Sequence, residues 1–247
     1  MKENNQVLEK LISFINDFSD CELKNFNLCY DFLKKLDDKG RQSHHGLIHC
    51  LDVLLNALNI IKYDSIRIDK SLVIIVAMLH DAQDHKFNDC SDKEINELYK
   101  LLSINKNDLE MIPFLCESIS YSKQKKYGDK WYCESSEYQL KNNSKHLGAI
   151  NSKYDIIRNI VSDADKLEAL GENGGKRCLQ YAIDINIENP IDDLIENCNS
   201  KLFKMITKKY FCTNYGLQQA KLLVIELRIY LNNIIKKKKI FDKMFKI

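Results

Sequence analysis

The sequence predicts an all-α protein, and three observations predict it. Breakers are scarce: two prolines (Pro113 and Pro190) and eight glycines punctuate 247 residues. Long stretches therefore hold nothing that ends a helix. Apolar residues recur at three- and four-residue intervals along most of the chain, the period of a helix with one buried face. Where that period stops, it stops at polar or glycine-bearing connections such as Asp37-Asp38-Lys39-Gly40 and Ser103–Asn107, which are stop signals and links.

The elements follow in order. Residues 6–18 carry Val7, Leu8, Leu11, Ile12, Ile15 and Phe18 as an amphipathic stripe. A helix over about 22–37 has Phe26, Tyr30, Phe32, Leu33 and Leu36. The next, over about 47–62, opens in Ser43-His44-His45-Gly46-Leu47-Ile48-His49, where three of the six histidines fall together. His45 and His49 stand at i, i+4, one helical face if the helix begins early enough. The stretch from Ser71 reads as a buried helix through Leu72, Ile75, Val76 and Leu79, then gives way to His80, Asp81, Asp84, His85 and Lys86. Desolvating a charge costs several kcal/mol or more. Ionisable residues crowded at the end of a buried helix therefore want a counter-charge, and a metal ion supplies one.

Amphipathic helices are expected over 92–103 and 107–120. From Ser122 to about Ser152 the periodicity is lost, and this long polar loop, with Trp131 and a basic stretch over 123–130, reads equally as a substrate lid and as a plain insertion. Tyr154–Leu170 is helical and apolar yet carries Asp163 and Asp165. Two positions along a helix turn by roughly 200°, so one of the pair reaches a common site. Gly171, Gly174 and Gly175 read as a tight break before a helix opened by Lys176-Arg177, whose start would turn N–H groups and a cation toward an anion. Helices over 190–209 and Leu217–Ile235 complete the chain. The basic tail from Lys236 reads as a solvated terminus. No internal repeat or domain boundary stands out, so one helical domain is expected across 1–247. Its core covers about 22–210, with the C-terminal helix and tail over about 217–247.

Composition narrows the function. Apolar content of 45% and charged content of 29% are those of a soluble globular protein. A net charge of +2 gives no electrostatic ground for nucleic acid or membrane as partner. The nine cysteines form no CxxC pair. Their odd number, a polar start in MKENNQVLEK and the lack of an apolar run of membrane length point to a reducing, cytoplasmic setting.

Collected in order, the candidate ligands are His49, the pair His80-Asp81, and Asp163 or Asp165. With these residues the sequence resembles the HD superfamily of metal-dependent phosphohydrolases. HGLIHCLDV is similar to its first motif, LHDAQDHKF to its HD motif and SDADKLEALG to its terminal aspartate motif. The likeness runs from about His45 to Tyr181 and leans toward small stand-alone hydrolases. It implies an HD-type helical bundle with the long polar loop between the last two motifs.

The resemblance makes His49, His80, Asp81 and Asp165 metal ligands; Asp165 is preferred because a basic residue and leucine follow it. It implies Asp84 as general base, and His45 stands where the cyclic-nucleotide phosphodiesterase branch places a general acid. Lys86, Lys123 and Arg177 are candidates to neutralise phosphate charge. The expected cofactor is a divalent ion, Mn²⁺ before Mg²⁺, Fe²⁺, Co²⁺, Zn²⁺ or Ni²⁺, because mixed nitrogen and oxygen donors suit such ions. The expected partner is a small phosphorylated substrate, a nucleotide first, with pyrophosphate release from triphosphates favoured over nucleotidase or phosphodiesterase chemistry. The sequence departs from the small hydrolases at Leu47 and Asp52, where they carry an aromatic and a basic residue. Here H-x-x-x-H-x-x-D-V leans toward the phosphodiesterases, which loosens the substrate class but not the ligand set. A non-catalytic metal- or nucleotide-binding module is the alternative of another class.

Overall fold

The computed structural model describes residues 2–40, 46–82, 90–128, 152–207 and 209–245. Among them the secondary structure is helical, with no strand, as the fold class predicts. No helix among the described residues is long and apolar enough to cross a membrane. The chain divides into two compact units, Met1–Asp165 and Lys166–Ile247.

The first unit is built around a helix that is apolar on every side. Helix α4, Lys70–Leu79, buries each residue from Ser71 to Leu79. A helix with no polar face must be surrounded, and α4 packs against α2 (Asp20–Asp38), α3 (Leu47–Tyr63) and α6 (Lys106–Ser118). Burying side chains such as Leu72, Ile75, Val76 and Leu79 contributes about 1.5–3 kcal/mol each. Around this centre, α1 (Lys2–Ile15) packs on α3, and α5 (Asp92–Leu101) packs on α2.

The helix starts follow local rules. Ser19 and Glu22 form a capping box on α2, as Ser91 and Glu94 do on α5. Asp69 accepts from Ser71 N–H on α4, and Asn105 from Asp108 N–H on α6. Each satisfies an amide that the helix itself cannot reach. The start of α3 differs: its N-cap is Gly46, which has no side chain to offer.

Helix α8, Ser152–Glu168, is tied to the first unit by hydrogen bonds to backbone carbonyls. The buried Arg158 donates through Nε to Ser118 O at 3.2 Å, and Ser162 Oγ to Ile119 O at 3.4 Å. Asn56 Nδ2 of α3 donates to Ala164 O at 3.3 Å. At the helix start, the buried Asp108 takes Lys153 Nζ at 2.7 Å and Tyr154 Oη at 3.0 Å.

One segment differs from expectation here. A helix, α7, covers Tyr121–Tyr127 where aperiodic chain was expected from Ser122. Ser120 caps it, and Tyr121 and Gln124 supply a buried face one turn long, too short to register as periodicity. The rest of the segment read as a lid or an insertion, 129–151, lies outside the described residues.

The second unit holds α9 (Gly171–Asp184), α10 (Pro190–Ser200), a single 3₁₀ turn (Leu202–Lys204) and α11 (Asn214–Phe245). Helices α9 and α11 approach closely at Gly175, where a Cβ would stand 2.7 Å from Tyr230 Cδ1 and 2.8 Å from Leu227 Cδ1. The glycines predicted to break the chain are thus inside a helix. Only Gly171 takes a left-handed backbone, at φ +74°, so α9 begins there and Lys176-Arg177 fall in its second turn rather than at its start. The helix expected over 190–209 stops at Ser200. The tail is also helical: nothing after Gly216 is glycine or proline, lysine is a good helix former, and α11 runs on through Lys236–Lys239. Lys238 Nζ lies 2.7 Å from Asp192 of α10.

Candidate metal centre

Three helices bring the ligand candidates together. His49 is the third residue of α3 and is buried. His80 is the C-cap of α4, with Asp81 next to it. Asp165 belongs to α8. The period of α4 places His80 at the end of a fully desolvated helix, and its ring is accordingly almost wholly covered, with 3% of the side chain exposed.

The geometry is convergent. His49 Nε2 and His80 Nε2 are 3.2 Å apart. Asp81 Oδ2 stands 3.4 Å from the first and 3.6 Å from the second. Asp165 Oδ1 stands 3.6 and 3.8 Å from the same two nitrogens. Among the described residues, His49, His80 and Asp165 form a group whose ligand atoms all lie within 4.8 Å of one another. The carboxylates are part-exposed, Asp81 at 18% and Asp165 at 29%, so the cluster has two dry nitrogens on one side and a watered edge on the other.

The chemistry of these donors asks for a cation. His80 Nδ1 sits 2.9 Å from Ala77 O. A carbonyl only accepts, so Nδ1 carries the hydrogen, and in the neutral ring Nε2 presents a lone pair. That lone pair faces another imidazole nitrogen and two carboxylate oxygens. A proton on His49 Nε2 would satisfy one of these contacts and leave the rest acceptor against acceptor. A divalent ion satisfies all of them. Nitrogen and oxygen ligands about 2.1 Å from one ion stand about 3.0–3.4 Å apart at angles between octahedral and tetrahedral. The shorter separations here fall in that range and the longer lie a few tenths of an ångström outside it. The hydrogen bond from His80 Nδ1 to a carbonyl is also the outer support that metal-ligating histidines use. The negative charge of the cluster is felt nearby. Burial pushes the Cys116 thiol up to about 12, and the Asp81 carboxylate adds to the push.

The other candidates are placed as follows. Asp163 is completely buried on α8, and Asp165 is the member of the pair that joins the two histidines. Lys123 Nζ lies 2.6 Å from Glu117. Arg177, in the second unit, is ion-paired with Glu168. His45, Asp84 and Lys86 lie outside the described residues.

Two residues that sequence reasoning passed over support the ligand helices. Leu47 N–H donates to both carboxylate oxygens of Asp37, at 3.3 and 3.1 Å, two residues before His49. Asn56, seven residues after His49 and so on the same face, makes the link to Ala164 beside Asp165. The missing cap residue at Gly46 signals that α3 is capped from elsewhere; nothing local says by what.

Solved structures match this arrangement of helices. The fold resembles that of Bacillus subtilis YpgQ. The two share 18% identity with a TM-score of 0.60, over 87% of this chain and 96% of YpgQ. The selenomethionine form of YpgQ matches at 20% identity and 0.60, and covers 97% of that chain. A Lactobacillus plantarum protein matches at 17% identity and 0.62, over 87% of this chain and 97% of its own. At such identities the likeness to YpgQ concerns the fold. No family model matches the chain, and no curated protein matches it.

Proposed function

We propose that the protein is a metal-dependent phosphohydrolase of the HD type, acting in the cytoplasm on a small phosphorylated molecule, with a nucleoside triphosphate the favoured substrate and pyrophosphate the favoured product. The observation that carries the reading is the meeting of His49, His80, Asp81 and Asp165 in one acceptor-rich cluster, in the chain order of the three motifs. The YpgQ-like fold is consistent with it.

In this reading His49, His80, Asp81 and Asp165 hold the ion, with Mn²⁺ preferred for a mixed nitrogen and oxygen set. A divalent ion held there lowers the pKa of a water and polarises a phosphoryl oxygen, the two needs of phosphoanhydride hydrolysis. The residues do the rest. His49 and His80 are locked by burial, so the lone pairs are aimed before substrate arrives. The part-exposed carboxylates mark the side from which substrate enters. Asp84 serves as base and His45 as acid to the leaving group, while Lys86, Lys123 and Arg177 answer phosphate charge. Lys123 would exchange its present carboxylate partner, Glu117, for phosphate.

The test is metal content of the purified protein, followed by a nucleotide panel with Mn²⁺ in which pyrophosphate and orthophosphate are separated. Pyrophosphate from triphosphates supports the reading. Orthophosphate from monophosphates moves the protein to nucleotidase chemistry. Bound metal with no turnover of any member makes it a binding module.

A further inference from the structure

The start of α3 is where the position of His49 is set, and α3 does not set it alone. His49 is the third helical residue, inside the turn whose amides have no intrahelical acceptor and which frays most readily. Gly46 is the N-cap and makes no side-chain cap bond, while its carbonyl accepts the first intrahelical bond from Cys50 N–H at 3.2 Å. The cap arrives from α2. Asp37, ten residues earlier, takes Leu47 N–H on both carboxylate oxygens.

Two further facts show that this contact is built. A carboxylate in the last turn of a helix is opposed by that helix's own dipole, yet Asp37 stands in the last turn of α2. The N-terminus of α3 offers that carboxylate a positive end of opposite sign to the one it sits on. The fit also depends on glycine. A Cβ at position 46 would lie 2.6 Å from Asp37 Oδ1 and 3.1 Å from Oδ2, so any other residue would make the carboxylate shift from where it now sits. Gly46 and Asp37 are complementary halves of one cap.

We infer that Asp37 is a positioning residue for the His49 imidazole, fixing the first turn of α3 so that Nε2 meets His80 and the two carboxylates. The inference rests on the metal-centre reading above. Asp37 acts through the backbone of Leu47, not on metal or substrate.

The experiment is titration of the full chain with Mn²⁺ alone, beside thermal unfolding, for the parent, D37A, D37N, G46A and the double variant D37A/G46A. S91A is the control, because it removes a cap on α5 and so lowers stability without touching α3. Loss of a residue that supports a ligand typically weakens metal affinity about 10–100-fold. D37A is expected to fall in that range, S91A to keep the parent affinity, and D37N, whose amide oxygen still accepts, to retain most of it. G46A is expected to resemble D37A in the parent background and to add little to it, since the two act on one contact. Should D37A fail to fold, G46A and D37N carry the same comparison. Parent affinity in D37A or in G46A, with stability lowered as in S91A, reduces Asp37 to an ordinary cap and overturns the inference while the metal centre stands. A parent chain that binds no Mn²⁺ overturns both.

Discussion

His49 Nε2 and His80 Nε2 face each other at 3.2 Å although 31 residues separate them in the chain. The rings meet edge to face at 64°, with centroids 5.1 Å apart. Two nitrogens that could both serve as ligands to one divalent ion therefore already stand close together.

Removing either nitrogen should remove the ion. H80A and H49A are expected to lose bound Mn²⁺ while keeping their helical content. Ligand that binds only the folded chain stabilises it by about 2.7 kcal/mol at a concentration 100 times Kd. Thermal melts with Mn²⁺ and with a chelator should thus separate for the parent and coincide for both variants. A variant whose melt still rises with Mn²⁺ would show that the ion sits elsewhere.

Asn56 joins the helix of His49 to that of Asp165 through Ala164 O. N56L keeps the bulk and removes the donor. A net cost of about 1 kcal/mol is expected from the lost hydrogen bond, with Mn²⁺ affinity lowered because Asp165 loses its register against α3. Denaturant unfolding and Mn²⁺ titration read the two effects apart, and unchanged affinity would leave Asn56 with a packing role only.

Acid should loosen the start of α8 through Asp108. Burial alone would raise this carboxyl, but hydrogen bonds from Lys153, Tyr154 and Asn105 outweigh it and hold the pKa below its ordinary 3.8. With the folded value below the unfolded one, the stabilisation is fully present above the unfolded pKa and is lost as pH falls through the folded value. The parent should therefore lose stability more steeply than D108N below about pH 4, which pH-dependent urea unfolding measures. Parallel curves for the two would contradict the shift.

In the second unit, G175A should be poorly tolerated. The new methyl would stand 2.7 and 2.8 Å from Tyr230 and Leu227, and overpacking of this kind costs about 1–3 kcal/mol. Hydrogen exchange should show the loss in α9 and α11. A glycine-to-alanine change in a helix with room to spare would instead stabilise, so a more protected variant would mean that the two helices separate easily.

By itself the sequence determined the helices that carry the candidate ligands and the order of those residues on them. The breaker-poor, three-and-four periodicity is a local property, so α2, α3, α4, α5 and α6 begin and end within a few residues of expectation. The abrupt change from Leu79 to His80-Asp81 marked the end of the central helix for the same reason, since a helix surrounded by others cannot carry uncompensated charge. Tertiary structure decided what depends on neighbours distant in sequence. Gly175 reads as a breaker until α11 is seen against it, because close approach of two helices leaves no trace in local pattern. The sequence prefers Asp165 to Asp163 only through the resemblance, whereas the face of α8 that meets His49 and His80 is a tertiary property. Asp37 could not be found from the start of α3, because the cap it provides is a contact through space between the end of one helix and the beginning of the next.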